Sequence, residues 1–86
     1  MDTSIESTNR IKTRQDFVVF LNVLLSDLQK NKDSWENQDL ESFLEALSRS
    51  AGDIHGFYAN TNQTVDADKP SWKVIADMLM SARIYE

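Results

Sequence analysis

The side chains of this sequence that could carry out chemistry are few, and they are not spaced as a catalytic set. His55 is the single histidine and cysteine is absent, so neither a histidine-rich metal site nor a thiolate site can form. No serine, histidine and carboxylate are arranged by spacing as a triad. An active site would need a pocket joining His55 to Asp53 or Glu45, and a bundle of this size has little room for one. We therefore expect a protein that is not an enzyme and has no cofactor.

The densest group of ionisable side chains lies in the stretch DSWENQDLESFLE, which contains no base. Its spacing is not that of an EF-hand loop and it lacks the turn glycine, so we expect no metal site there. A solvated helix start favoured by the helix dipole explains these carboxylates most simply. The functional alternative is an acidic docking surface for a basic protein. Its residues are Asp33, Glu36, Asp39, Glu41 and Glu45.

The overall charge restricts the classes of partner. Fourteen acidic residues against nine basic ones give a formal net charge of −5, and phosphate contacts require clustered lysine and arginine. Arg10, Lys12 and Arg14 form only a small basic arm, so we expect neither nucleic acid nor a membrane as a partner. The sequence has no signal-peptide pattern and no apolar run long enough to cross a bilayer. We expect a soluble, cytoplasmic protein.

Three segments have the apolar periodicity of helices, and no alternating strand pattern competes with them. The 86 residues therefore predict an all-α fold, a three-helix bundle in one domain, residues 1–86. Residues 1–12 are expected to be a flexible or weakly ordered arm. The pattern also allows a short extra turn before Thr13 or around Trp35. The helices are expected at about residues 13–30, 37–60 and 71–85, with Thr13, Asn37 and Ser71 as their N-caps.

Two glycines lie within the second predicted helix, on the face opposite its apolar stripe. Gly52 and Gly56 each cost a helix interior about 1 kcal/mol relative to alanine. We favour a break or kink near these glycines, which would turn three helices into four. A close approach of another backbone is the alternative.

Helical projection assigns a core face to each segment and leaves some apolar residues outside it. The third helix has the widest apolar arc, so we expect it at the centre of the bundle. Its arc comprises Trp72, Val74, Ile75, Ala76, Met78, Leu79, Ala82 and Tyr85, and that of the first helix Phe17, Val18, Phe20, Leu21, Leu24, Leu25 and Leu28. The stripe of the second helix comprises Leu40, Phe43, Leu44, Leu47, Ala51, Ile54 and Tyr58.

Two apolar pairs fall outside these arcs, each with its members one turn apart. Met80 and Ile84 lie on the side of Lys73 and Asp77, and Val19 and Val23 lie on the polar side of the first helix. They are either ordinary exposed apolar residues or a second contact surface. Trp35 and Trp72 are the expected hydrophobic anchors, and we place them at the same end of the bundle because each lies near a helix start.

Two blocks resemble a family of small uncharacterised bacterial proteins. The first is Trp35-Glu36-Asn37 followed by Leu40 and Phe43-Leu44-Glu45-Ala46-Leu47, the pattern W-E-N-x-x-L-x-x-F-L-E-A-L. The second is Ser71-Trp72 with the closing Tyr85-Glu86. The resemblance covers about half of the chain. It implies a bacterial protein with a common fold and carries no established activity or site residue.

These observations give two functional hypotheses of different kinds. The first is a small acidic protein-interaction module that binds another, basic protein, as an immunity-like protein or inhibitor does. The alternative is a homodimeric structural or scaffold protein without a small-molecule ligand. Its two-fold interface would consist of Val19, Val23, Met80 and Ile84. An enzyme is the least favoured class.

Overall fold

The computed structural model describes the backbone of residues 5–85 and the side chains of residues 8–85. Within that range the chain forms three α-helices and no strand, which confirms the predicted all-α three-helix fold. Two short 3-10 helices lie where the sequence allows an extra turn, before Thr13 and next to Trp35. In chain order the elements are the 3-10 helix Ile5–Arg10, α1 (Arg14–Lys30), the 3-10 helix Lys32–Ser34, α2 (Leu40–Asn60) and α3 (Trp72–Ala82).

The starts of α1 and α3 are fixed by the side chains that the sequence predicts. The Thr13 hydroxyl accepts a hydrogen bond from the backbone N–H of Asp16 at 3.1 Å, and the Asp16 carboxylate accepts one from the N–H of Thr13 at 3.2 Å. This reciprocal pair is a capping box. The Ser71 hydroxyl caps α3 by accepting from the N–H of Val74 at 3.1 Å. Hydrogen bonds between residues close in sequence therefore fix the start of both helices.

The start of α2 differs from the prediction. Its N-cap is Asp39, whose carboxylate accepts a hydrogen bond from the N–H of Ser42 at 3.1 Å. Asn37, the predicted cap, lies before the helix and uses its side-chain amide at the end of α3 instead. The tertiary partner satisfies the Asn37 amide, and the aspartate two residues later satisfies the free N–H groups of the helix.

Helix α2 is continuous through its two glycines, so the predicted break near Gly52 and Gly56, and with it a fourth helix, is wrong. A close backbone approach does not explain them either, because a Cβ added at either position would meet nothing within 4 Å. The helix continues through them because its inner face is buried and packing against α3 offsets their cost. The buried residues of that face are Ala46, Ser50, Ile54 and Tyr58.

Helix α3 lies at the centre, as predicted. It packs against α2, α1 and the first 3-10 helix, whereas α1 and α2 make fewer contacts with each other than either makes with α3. Met80 of α3 belongs to one core cluster with Phe20 and Leu24 of α1, and Val74 belongs to a second with Ile54 and Tyr58 of α2. Helices α1 and α2 thus each pack against α3, and they make few contacts with each other.

Several residues that helical projection assigns to the core are exposed. Because α1 and α2 do not close on each other, the wide apolar arcs are only partly covered. The exposed residues are Val18, Leu21 and Leu25 of α1, Leu40 and Leu44 of α2, and Ile75 of α3. The opposite error occurs at Asp77, which projection places on the polar side of α3 and which is fully buried.

The chain segment before α1 covers that supposedly polar side of α3. Thr8 is fully buried, and Ile11 shares a core cluster with Met80. Met80 is therefore only 3% exposed, and the prediction that it forms an exposed pair with Ile84 is wrong. The prediction of a weakly ordered arm over residues 1–12 does not include this packing of Thr8 and Ile11. Residues 1–4 of that arm lie outside the described residues.

The two tryptophans lie near opposite ends of α1, so the prediction that they share one end of the bundle is also wrong. The Trp72 ring centroid is 5.2 Å from that of Phe17, near the start of α1. The Trp35 indole N–H donates to Asp27, near the end of α1. Ten residues of helix separate these contacts by about 15 Å. Both rings pack on the same elongated core cluster.

Candidate functional site

An apolar groove of about 360 Å³ opens between α1 and the start of α2. We call it the leucine groove. Its floor is formed by core residues Leu24 and Trp35, with Phe43 beside them, and three polar residues close one end. The residues that line it are Leu21, Leu24, Leu25 and Leu28 of α1, Trp35, Asn37, Gln38 and Asp39 of the connecting segment, and Leu40 and Phe43 of α2.

Several large apolar side chains are exposed on or next to the walls of the leucine groove. Leu25 is 52% exposed and Leu40 is 72% exposed, and Leu44, one turn beyond Leu40, is 53% exposed. Of the eight large apolar side chains exposed among residues 8–85, Leu21, Leu25 and Leu40 line the groove, and Val18 and Leu44 lie one helical turn from them. Scattered exposed apolar residues are ordinary, but a contiguous set of them marks a binding surface.

Part of the predicted acidic docking surface, namely Asp39, Glu41 and Glu45 at the start of α2, forms an acidic edge beside the groove. All five residues of the predicted surface are exposed: Asp33, Glu36, Asp39, Glu41 and Glu45. Asp39 lines the end of the groove, and hydrogen bonds from Ser42, first from its hydroxyl and then from its N–H, lower the pKa of Asp39. Glu41 and Glu45 each follow an exposed leucine. The sequence identifies these carboxylates, but it assigns the leucines beside them to the core.

The other predicted contact surface does not form as a set of four exposed residues. Val19 and Ile84 are exposed and Val23 is half-buried, but Met80 is covered by Ile11 and the core. The homodimer interface predicted from these four residues would therefore lack Met80. The signal that misleads the projection is the set of polar neighbours of Met80 on α3, which face the segment before α1 rather than solvent.

Asp27 holds the floor of the leucine groove in place. Its Oδ2 accepts hydrogen bonds from the Trp35 indole N–H at 2.8 Å and from Arg83 Nη1 at 3.3 Å, and its Oδ1 accepts one from the Asn31 amide at 3.0 Å. The indole hydrogen bond is the main reason why the pKa of Asp27 is lowered. One carboxylate thus joins α1, the connecting segment and the end of α3. Nothing in the sequence singles it out, because its partners are distant or loop residues.

Asn37 fastens the polar end of the groove to the end of α3. Its side-chain amide donates to the carbonyl oxygens of Ala82 at 2.9 Å and Tyr85 at 2.8 Å. Its backbone N–H donates to the carbonyl oxygen of Arg83 at 3.1 Å. Gln38, the next residue, donates to the carbonyl oxygen of Trp35 at 3.1 Å. The segment that ends the groove is therefore hydrogen-bonded both to the end of α3 and to Trp35.

A buried polar network lies on the other side of α3. Asp77 Oδ2 accepts hydrogen bonds from Lys73 Nζ at 2.8 Å and from the Tyr58 hydroxyl at 2.5 Å, and Lys73 Nζ also donates to the Thr8 hydroxyl at 3.2 Å. Asp77 Oδ1 is buried and has no hydrogen-bond partner among the described residues. Burial, followed by the hydrogen bond to Asp77, raises the pKa of Tyr58. The network joins α2, α3 and the segment before α1, and its position in the core points to a structural role.

The remaining candidate chemistry is not assembled. His55 is exposed on α2, and Asp53, the carboxylate nearest to it in the chain, is paired with the Tyr85 hydroxyl. Glu45 lies more than two turns away along the helix. Across residues 5–85 no group of three or more metal-ligating side chains is placed to hold an ion, and no helix in that range has the length and hydropathy of a membrane span. The expectations of no catalysis and no cofactor stay predictions.

Comparison with known proteins gives a family without an assigned function. No curated protein and no solved structure matches this chain. Residues 13–86 match the model of DUF7660, a family of unknown function. The matched region contains all three α-helices, the leucine groove and its acidic edge, and leaves out Thr8 and Ile11. The chain belongs to the family of unknown function DUF7660.

Proposed function

We propose that this protein is a non-enzymatic interaction module that binds a segment of another protein in the leucine groove. The observation that carries the proposal is the placement of exposed leucines beside exposed carboxylates on the first two turns of α2. Leu40 is followed by Glu41, and Leu44 by Glu45, with all four side chains exposed. The leucines supply affinity when they are covered, and the carboxylates select the charge of the partner.

The exposed leucines offer enough apolar surface to support binding. Full burial of one leucine side chain contributes about 1.5 to 3 kcal/mol. Leu25, Leu40 and Leu44 each expose half of their surface or more. Covering them together with Leu21 therefore recovers several kcal/mol, which is set against the cost of association. The buried floor of Leu24 and Trp35 gives the partner a rigid surface on which to pack.

The charge of the chain favours a basic partner over a second copy of itself. Each molecule carries a formal net charge of −5, so two copies repel each other at long range. In a two-fold interface through this groove, the same acidic edge would occur on both sides. A partner that carries lysine or arginine converts that repulsion into attraction. The acidic edge and the small size also support the narrower proposal of an inhibitor or immunity-like protein whose target is basic.

Affinity capture from the native host tests the proposal with three baits. The wild type is compared with a groove variant, Leu25→Glu/Leu40→Glu, and with a control, Val19→Glu/Ile84→Glu, which places the same charges on exposed residues that do not line the groove. We expect one partner to be recovered by the wild type and the control and lost by the groove variant. The complex should then re-form from the two purified proteins in a fixed ratio.

Two results would contradict the proposal. One is a partner that all three baits retain equally, which would place its binding site elsewhere. The other is a wild-type dimer in light scattering that the groove variant disperses, which would assign the groove to self-association and support the homodimeric alternative.

A further inference from the structure

We infer, on the basis of the proposed function, that the occupant of the leucine groove is an amphipathic α-helix with basic residues along one flank. Seated between α1 and α2, it would complete a four-helix arrangement in which α3 lies on the opposite side. The inference rests on the secondary structure of the walls, on the spacing of the exposed leucines and on the unequal charge of the two edges.

The walls of the groove exclude an extended strand as a favourable occupant. Both walls are α-helices, α1 and α2, and beyond their terminal turns their backbone N–H and C=O groups are paired within each helix. An extended segment adds to a protein by pairing its backbone with a free sheet edge, and no such edge borders the groove. On an apolar floor its own polar backbone would lose water without gaining partners. A helix satisfies its backbone internally and presents only side chains.

The leucine spacing matches the ridges that helices use to pack. Leu21 and Leu25 are one turn apart on α1, and Leu40 and Leu44 are one turn apart on α2. Rows of residues at this spacing form ridges that fit the grooves of a neighbouring helix. The partner is therefore expected to present apolar residues at positions i, i+3 or i+4, and i+7, as in other helix-in-groove complexes.

The two edges of the groove differ in charge, and this difference orients the occupant. Moving outward from the core around α2, the exposed leucines are followed by Glu41 and Glu45, one turn apart. Moving outward around α1, the exposed leucines are followed by Asn22 and Gln29, which carry no charge. The basic residues of the partner helix are therefore expected on the flank that faces α2, also one turn apart.

Three synthetic peptides test this inference, each about 18 residues or roughly five helical turns long. The first is amphipathic, with leucines at helical spacing and lysines on one flank. The second replaces each lysine with glutamate, and the third scrambles the first. Affinities are measured by calorimetry, and binding is located from amide shifts in two-dimensional NMR. We expect the first peptide to bind at least about tenfold more tightly than the other two, which corresponds to about 1.4 kcal/mol.

Variants of the protein then separate the contributions of shape and charge. Leu25→Ala/Leu40→Ala is expected to weaken the first peptide by about tenfold or more. Glu41→Gln/Glu45→Gln is expected to weaken it by about threefold to tenfold, as the loss of two exposed ion pairs implies. Asp66→Asn/Asp68→Asn, which neutralises two exposed carboxylates of the loop before α3, is the matched control and should leave the affinity unchanged.

Each contrary outcome identifies the step that fails. Equal binding of the scrambled peptide would overturn the helical occupant, and equal binding of the glutamate peptide would overturn the basic flank. Binding that survives the leucine variant, or no binding of any peptide, would overturn the whole inference. A native partner that is captured through the groove by a non-helical segment would overturn this inference and leave the proposed function standing.

Discussion

The burial of Asp77 places its ion pair with Lys73 in the core rather than on the surface. At positions i and i+4, Lys73 and Asp77 look like an ordinary surface ion pair of a helix. Both are instead covered by the segment before α1, and the Tyr58 hydroxyl from α2 donates to the same carboxylate oxygen. A buried ion pair is tolerated when further hydrogen bonds satisfy its charges. The Tyr58 and Thr8 hydroxyls supply two such bonds, whereas Asp77 Oδ1 has no partner among the described residues.

Tyr58→Phe tests the contribution of this network at the residue scale. Loss of a buried hydrogen bond to a charged group is expected to lower the free energy of unfolding by about 1.5 to 3 kcal/mol at neutral pH. The raised pKa of Tyr58 means that the folded state retains the phenolic proton more tightly than the unfolded state does. The contribution is therefore complete below the ordinary tyrosine pKa of 10.0 and is lost as the pH rises above it. Urea titrations at several pH values measure this change.

Tyr85→Phe is the matched control for that measurement. The Tyr85 hydroxyl also contacts a carboxylate, that of Asp53, but this pair is exposed, so water can replace the lost hydrogen bond. We expect a much smaller change in stability. Equal losses in the two variants, or a difference between wild type and Tyr58→Phe that does not shrink above pH 10.0, would argue against a stabilising network at Asp77.

At the scale of the helices, the sequence predicts what local interactions determine. The caps Thr13 and Ser71 are correct because each bonds to a backbone N–H three residues away. The cap of α2 is wrong because Asn37 finds a partner 45 residues away. Apolar faces are only half predicted, since the width of a stripe does not reveal how far the neighbouring helices cover it. The leucine groove is the part of those stripes that stays uncovered.

The two glycines of α2 give a prediction at this scale. Because a Cβ at Gly52 or Gly56 meets nothing within 4 Å and both residues lie inside a continuous helix, Gly52→Ala and Gly56→Ala should each raise the free energy of unfolding by about 0.5 to 1 kcal/mol. Urea denaturation measures the gain. The reverse change at the exposed helical residue Ala59, Ala59→Gly, should lower stability. Alanine variants less stable than wild type would indicate the break that the sequence suggests.

At the scale of the whole molecule, residues that precede the three helices are buried with them. Ile11 and Thr8 lie outside the region that matches DUF7660, yet Ile11 belongs to the same core cluster as Met80. The family region alone would leave that face of α3 without this cover. The sequence did not predict this, because residues 1–12 contain no periodic pattern and a single isoleucine among polar residues does not indicate a core position.

Ile11→Ala measures the contribution of this covering segment. The side chain is 8% exposed, and truncation of a buried isoleucine to alanine typically lowers the free energy of unfolding by about 2 to 5 kcal/mol. We expect a loss near the lower limit, since the site lies at the edge of the core. Ile84→Ala, which truncates an exposed isoleucine, should change stability little. An Ile11→Ala variant as stable as wild type would show that the segment does not contribute to the core in solution.

The hydrogen bonds of Asn37 couple the conformation of the groove to the fraying of the end of α3. The same residue lines the groove and holds the carbonyl oxygens of Ala82, Arg83 and Tyr85. Fraying of the last helical turn therefore releases the segment that closes the groove, and an occupant that holds that segment in place suppresses the fraying. By thermodynamic linkage, the two effects are equal in free energy. We therefore expect the carbonyl groups of Arg83 and Tyr85, which do not line the groove, to contribute to its affinity for the proposed occupant.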